Sequence, residues 1–242
     1  MNLAIDIGNT LSKAAVIDNG QVVDIFKSPT FTPAYLEKIF KRYPALDRGI
    51  LISTRSEEGE LVSYLCGKLR QFIRFDHTVP IPIKNDYATP ETLGRDRLAA
   101  AVGAAALYPG EASLVVDFGT AITVDFVTAE GEFKGGNISP GASMRFRALH
   151  EFTGKLPLLD LSEDIDLLGN STKSAIEGGV IHGVIHEIEG YIVRLSKTEG
   201  QFRIIFTGGD GNYFGKRLKY PIFASQDLVL FGLNRILEHN AD

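Results

Sequence analysis

Near the start of the chain, apolar residues gather in short extended runs separated by turn chemistry. Leu3-Ala4-Ile5 opens a strand that ends at Asp6, residues 11–17 form a second run, and residues 21–26 a third. Between the last two stands Asn19-Gly20, the strongest two-residue hairpin signal. The same grammar returns later: Leu114-Val115-Val116 leads into Asp117-Phe118-Gly119-Thr120, then an extended run over 121–128, then a turn at Glu130-Gly131. From Asp6 to Gly20 is 14 residues, and from Asp117 to Gly131 is also 14, with Gly8 and Gly119 in register. Two aspartates and four glycines in step predict an internal duplication.

Between the two hairpins the periodicity predicts a helix over 33–43, a buried strand over 49–53, a helix over 60–71 and an alanine-rich helix over 93–107. After the second hairpin it predicts helices over 141–152 and 172–195, a strand over 203–206, a helix over 211–218 and an amphipathic closing helix over 226–239. Both halves are therefore α/β. The clearest break before the second copy is Tyr108-Pro109-Gly110, which places one domain over 1–110 and the other over 111–242.

Composition narrows the field without choosing a function. With 242 residues, 44% of them hydrophobic, the chain can bury its own core, and its formal charge of −5 supplies no basic field for a phosphodiester backbone. Nucleic acid is not an expected partner. Cys66 is the single cysteine, which excludes an internal disulfide and suits a reducing compartment. The start has no basic signal-type segment and the alanine run is too short to span a bilayer, so a cytoplasmic protein with no membrane partner is expected.

The hairpins carry the candidate chemistry. Phosphates need backbone N–H groups at close range, which glycine permits, and a carboxylate to hold the accompanying cation. Asp6-x-Gly8-Asn9-Thr10 supplies both, and Asp117-x-Gly119-Thr120 repeats it. The Gly-Lys pairs at 67–68, 154–155 and 215–216 lack the Ser or Thr of a P-loop, and no GxGxxG is present. Thr207-Gly208-Gly209-Asp210-Gly211 forms a third glycine turn, between a predicted strand and helix, suited to close contact with ribose or adenine. In order and spacing this set resembles the superfamily of acetate and sugar kinases, hexokinase and actin. That resemblance implies two tandem ribonuclease-H-like lobes, the actin-like ATPase fold, with nucleotide in the cleft between them.

One further segment bears on the substrate. Tyr87-Ala88-Thr89-Pro90-Glu91-Thr92-Leu93-Gly94-Arg95-Asp96-Arg97 brings an aromatic ring, a carboxylate and guanidinium groups to the entrance of a helix, where anions are favoured. Asp96 is a candidate acceptor for a substrate hydroxyl proton, and Arg97 a candidate clamp for a carboxylate or phosphate. With Asp6-x-Gly8-Asn9-Thr10, Tyr87-x-x-Pro90, Gly94-x-Asp96-Arg97, Asp117-x-Gly119-Thr120-Ala121, Gly135-Gly136-x-Ile138-x-Pro140-Gly141, Thr172 and Thr207-Gly208-Gly209-Asp210 in this order, the chain resembles the type III pantothenate kinases.

The resemblance implies ATP contacts by Asp6, Ile7, Gly8, Asn9, Thr10, Leu11, Ser12, Lys13 and Thr120, and a pantothenate site made by Tyr87, Gly94, Arg95, Asp96, Arg97 and Thr172. It further implies Mg²⁺ with ATP at Asp6, a monovalent cation (K⁺ or NH₄⁺) at Asp117, Asp96 as proton acceptor and a homodimer. The product would be 4′-phosphopantothenate, at the first step of coenzyme A biosynthesis. Thr89 stands where relatives often carry asparagine. Two readings compete with a pantothenate kinase: a regulator that keeps the fold without the chemistry, and a kinase for another small molecule. His182 and His186 share a helical face but lack a third ligand, so they are expected to pack, and Arg145 and Arg147 are expected on an exposed helix face.

Overall fold

A computed structural model describes residues 1–55 and 59–241. The chain divides into two compact units, one of Met1–Glu111, Val127–Gly135 and Asp227–Asp242, the other of Ala112–Phe126 and Gly136–Gln226.

The first unit begins with β1 (Asn2–Ile7), β2 (Ser12–Asp18), β3 (Gln21–Ser28), α1 (Pro33–Arg42), β4 (Arg48–Ser53), α2 (Gly59–Lys68), β5 (Gln71–Arg74), β6 (Lys84–Asn85) and α3 (Arg95–Leu107). Its sheet has the order β3-β2-β1-β4-β5. β1 runs antiparallel to β2, with Asp6 opposite Lys13, and parallel to β4, with Ile7 opposite Ser53. The hairpin turn forms as its chemistry predicts, Asn19 and Gly20 both taking positive φ (48° and 77°). Thr32 caps α1 by accepting from the Tyr35 N–H, ahead of a proline in the first turn. Leu3, Ile5, Ile7, Leu36, Ile39, Leu61 and Leu65 share one apolar core.

The second unit holds β7 (Ser113–Phe118), most of β8 (Ala121–Val127) and of β9 (Glu132–Pro140), then α4 (Ala142–Glu151), α5 (Thr172–Thr198), β10 (Arg203–Thr207), α6 (Gly211–Gly215) and β11 (Ile222–Ala224). These strands follow the order β11-β10-β7-β8-β9. Read from β9, that is the order of the first sheet, with β7 in the place of β1 and β10 in that of β4. The duplication expected from the sequence is present in the topology. The core gathers Phe118, Phe146, Phe206 and Phe214 with Val180, Val184 and Ile188 of α5.

The last helix, α7 (Leu228–His239), groups with the first unit, where it packs on α3. The packing explains the alanine run. Ala99, Ala101 and Ala104 are wholly buried, and a Cβ built on Gly103 would lie 2.6 Å from the Leu228 carbonyl oxygen. A Cβ on Gly232 would overlap the Ala99 carbonyl, so the two backbones approach through glycine on both sides. Asn234 reinforces the contact with β1 by accepting from Asn2 Nδ2 at 2.8 Å, both residues being buried.

The helix expected over 60–71 stops at Lys68. The Arg70 N–H turns to the Asp47 carbonyl at 2.9 Å, Leu69 closes the core, and Gln71 opens β5. The helix expected over 211–218 is the shorter α6. Strands β5, β6 and β11 were not among the expected elements. The sequence break near residue 110 lies at the Glu111–Ala112 division, but the tip of the β8–β9 hairpin and α7 group with the N-terminal residues. Among the described residues no helix is long and apolar enough to cross a membrane.

Candidate active site

The residues singled out above fall into two groups, one in each unit. In the first, β1 presents Asp6 half-buried at its C-terminal end, and the chain turns through Gly8, Asn9, Thr10 and Leu11 into β2. Gly8 is required by the tightness of this turn, since a Cβ there would stand 2.8 Å from the Leu11 carbonyl oxygen. Asn9, Thr10 and Leu11 are exposed, whereas the Ile7 side chain belongs to the core and Ser12 is buried, its hydroxyl facing the Pro29 carbonyl at 3.4 Å. Ile7 and Ser12 therefore have main-chain atoms to offer a ligand. Lys13 sits opposite Asp6 and pairs with Asp227 at 3.5 Å, both ends half-buried.

Thr54 and Arg55, which directly follow the parallel neighbour β4, brace this turn. Thr54 donates its N–H (3.0 Å) and its hydroxyl (3.2 Å) to the Ile7 carbonyl, the same hydroxyl lying 3.2 Å from Asn9 Oδ1. Arg55 donates from Nε to the Gly8 carbonyl at 3.1 Å and from Nη2 to those of Asn9 at 3.1 Å and Pro29 at 2.9 Å. Sequence reasoning missed Arg55. An arginine two residues past a buried strand carries no local signal, and its targets lie 47, 46 and 26 residues away.

Within the same unit, Tyr87 follows β6, its N–H bonded to Asn85 Oδ1 at 3.1 Å. Thr89 and Thr92 close a turn through their hydroxyls at 2.7 Å. Arg95 folds back onto that loop, Nη2 donating to the carbonyls of Pro90 (2.7 Å) and Glu91 (3.0 Å), and desolvation pulls its pKa below the ordinary arginine value. Gly94 is the N-cap of α3. A Cβ there would lie 2.5 Å from Asp96 Oδ1, so glycine leaves room for the carboxylate that accepts from the Arg97 N–H at 2.9 Å. Arg97, expected as a clamp for the substrate, is only 5% exposed. Its guanidinium lies 5.6 Å from the Tyr87 ring and 6.0 Å from that of Phe133. The Tyr87 ring in turn lies over Gly135, whose φ of +98° and absent side chain leave it space.

β6 is clipped to the β9 end of this unit by a four-charge cluster. Lys84 reaches Asp86 (3.1 Å) and Glu132 (2.8 Å), while Lys134 reaches the same two carboxylates at 2.8 and 2.7 Å. Hydrogen bonds from Lys134, then Lys84, hold both carboxyls below their usual range, and the same bonds raise both lysines.

In the second unit, Asp117 lies one residue before the end of β7, opposite Thr207 of β10. Gly208, with φ +85°, folds over it. A Cβ at Gly208 would overlap Asp117 Oδ1 and stand 2.6 Å from the Phe118 nitrogen, and one at Gly119 would be 3.5 Å from the same carboxylate oxygen. The Asp210 N–H bonds the Phe118 carbonyl at 3.2 Å, and the Asp210 carboxyl is raised by desolvation, with Asp160 adding to it. The backbone of Gly208 thus packs directly against the Asp117 carboxylate, at a position where a larger residue would collide with it, and that of Gly119 lies close by. Thr120 is exposed and its carbonyl accepts from the Gly141 N–H at 3.0 Å, which ties the Pro140-Gly141 turn to the hairpin. Thr172 is exposed at the first position of α5, behind a capping box in which Ser171 and Ser174 satisfy each other's backbone.

The residues expected to lie outside the site are occupied elsewhere. Arg145 bonds Glu187 and the Pro140 carbonyl (2.8 Å), and Arg147 pairs with Glu151 at 3.3 Å. His182 and His186 stack at 6.0 Å, and among the described residues no group of three or more histidine, cysteine or acidic side chains is arranged to hold a metal.

Against known proteins, the family model for "Type III pantothenate kinase" matches residues 2–194. A type III pantothenate kinase of Phocaeicola vulgatus is 45% identical over 240 residues, covering 99% of each chain. Among solved structures, a Campylobacter jejuni chain placed in the Baf family of transcriptional activators aligns over 98% of each chain at a TM-score of 0.64 and 21% identity. A glucokinase from an Antarctic psychrotroph aligns over 99% of each at 0.55 and 10% identity. These two likenesses speak for the fold alone, the two-lobed architecture of the actin-like ATPases and sugar kinases.

Proposed function

The chain belongs to the type III pantothenate kinase family, and from that premise we propose how its residues divide the work. The reaction is ATP-dependent phosphorylation of pantothenate, the first step of coenzyme A biosynthesis, with ATP and a divalent metal as the family requires.

The terminal hydroxyl of pantothenate attacks the γ-phosphorus of ATP, the bond to the ADP oxygen breaks, and the hydroxyl proton passes to Asp96. The position of Asp96 supports this role. It stands at the head of α3, with Gly94 making room for its carboxylate and the Arg97 N–H fixing one oxygen, so the side chain is oriented before substrate arrives. Contacts to pantothenate are assigned to Tyr87, Gly94, Arg95 and Arg97 of the first unit and, separately, to Thr172 of the second. Given its burial, Arg97 acts by holding the Tyr87 ring and by its charge, and Arg95 by shaping the loop at Pro90 and Glu91.

Contacts to ATP are assigned to residues Asp6 to Lys13 of the first unit and, separately, to Thr120 of the second. The open turn at Gly8, Asn9 and Thr10 supplies main-chain donors, and Lys13 exchanges part of its pairing with Asp227 for phosphate. Asp6 would hold the Mg²⁺ that travels with ATP, and Asp117 a monovalent cation, potassium or ammonium. Such ions neutralise charge that develops on the phosphoryl oxygens. We treat residues 1–110 and 111–242 as the two lobes of the duplication and place the protein in the cytoplasm, which suits its free, exposed Cys66. A homodimer, as the resemblance implies, belongs to the same proposal.

The kinship over nearly the whole chain carries the assignment, since fold alone would leave the substrate open. The test is ADP release with and without pantothenate. Release that requires pantothenate is expected; release indifferent to it would overturn the substrate, and none under any condition would favour a regulator.

A further inference from the structure

We infer that Arg55, outside every motif above, is a positioning residue for the phosphate turn, setting its affinity for ATP from behind. This rests on the kinase reading just given. Three consecutive carbonyls, those of Ile7, Gly8 and Asn9, are all drawn to one side, the first by Thr54 and the next two by Arg55. The described chain contains no cis peptide bond. In a trans peptide the C=O of one residue and the N–H of the next point in opposite directions. With their carbonyls turned to Thr54 and Arg55, the Gly8, Asn9 and Thr10 N–H groups are aimed at the other side. That is the orientation a polyphosphate needs, with donors toward it and carbonyl lone pairs withdrawn.

Arg55 does more than orient. Its acceptors at Gly8, Asn9 and Pro29 are neutral carbonyls, so the bonds carry its charge into the peptide groups and polarise the N–H ends. The bond to Pro29 anchors the guanidinium to the exit of β3, which keeps the fork in place when the turn is empty. A lysine could supply the charge but not two parallel donors at a fixed angle.

Steady-state kinetics of Arg55→Ala and Arg55→Lys test this, with each substrate varied at saturation of the other. Hydrogen bonds from a charged donor govern the loss, so the alanine variant should raise the KM for ATP about 10- to 100-fold, with the KM for pantothenate unchanged. The lysine variant should recover part of that. A thermal melt of the alanine variant should move less with added ATP analogue than that of wild type, and equally with pantothenate. Three outcomes would overturn the inference: an ATP KM within about twofold of wild type, parallel rises in both KM values, or a full rescue by lysine. If wild type itself shows no pantothenate-dependent turnover, the kinase reading fails instead, and the wild-type control separates the two.

Discussion

Gly232→Ala sets two physical effects against each other. Alanine is the better helix former, by about 0.8–1 kcal/mol in a helix interior, and Gly232 lies within α7. Propensity alone predicts a more stable protein. The packing predicts the reverse, because the new Cβ would overlap the Ala99 carbonyl and lie 2.7 Å from its carbon and 2.9 Å from the Gly103 nitrogen. All three are backbone atoms of α3, so no rotamer change relieves the contact and the helices must part. Overpacking of this kind costs about 1–3 kcal/mol, and a clash with backbone belongs at or above the upper end. After the propensity gain, a net loss of about 2 kcal/mol remains. For a chain of this size that is a fall in melting temperature of about 4–8 °C. Calorimetry or a circular-dichroism melt reads it directly. Because α3 carries Asp96 at its head, the variant should also show a raised KM for pantothenate below its transition. A melting temperature equal to or above that of wild type would refute the close approach of α3 and α7.

Two further outcomes follow from charge. If Asp117 holds a monovalent cation, turnover should collapse in sodium-only buffer and return with potassium or ammonium; activity indifferent to the cation would remove that role. In the cluster of Lys84, Asp86, Glu132 and Lys134 the carboxyls sit below their unfolded pKa and the lysines above theirs. The carboxyl contribution is present above about pH 4 and lost as pH falls through the lowered values; the lysine contribution is present below about pH 10 and lost as pH rises through the raised ones. Lys134→Met should therefore lower the melting temperature at pH 7, modestly because the cluster is exposed, and its gap from wild type should close as pH falls toward 3. Parallel curves for the two proteins would contradict this.

The hairpins, their turns and their duplication were legible because the information is local: alternation, an Asn-Gly pair and an aspartate-glycine spacing recur in sequence before they recur in space. The same holds for α3, whose alanines announce close packing, although not the partner. That partner, α7, is more than a hundred and twenty residues away and takes its place through Gly103 and Gly232, which no periodicity pairs. The edge strands β5, β6 and β11 escaped notice because two to four residues cannot establish an alternation. Motif order singled out Asp6, Asp96 and Asp117 as candidates, but the surroundings of a side chain depend on distant chain. That Phe133, thirty-six residues on, lies beside the Arg97 guanidinium has no trace in the local sequence. Arg55 was silent for the same reason, since its targets at Gly8 and Asn9 are neighbours only through the β1–β4 pairing.

Turnover of Asp96→Asn, measured at saturating ATP and pantothenate, tests the proposed chemistry most directly. The change keeps the size of the side chain and its acceptor for the Arg97 N–H, and removes the group that takes the proton. The account predicts a fall in kcat of roughly 10²- to 10⁴-fold with the melting temperature and ATP binding unchanged. A folded variant that turns over pantothenate as fast as wild type would contradict it.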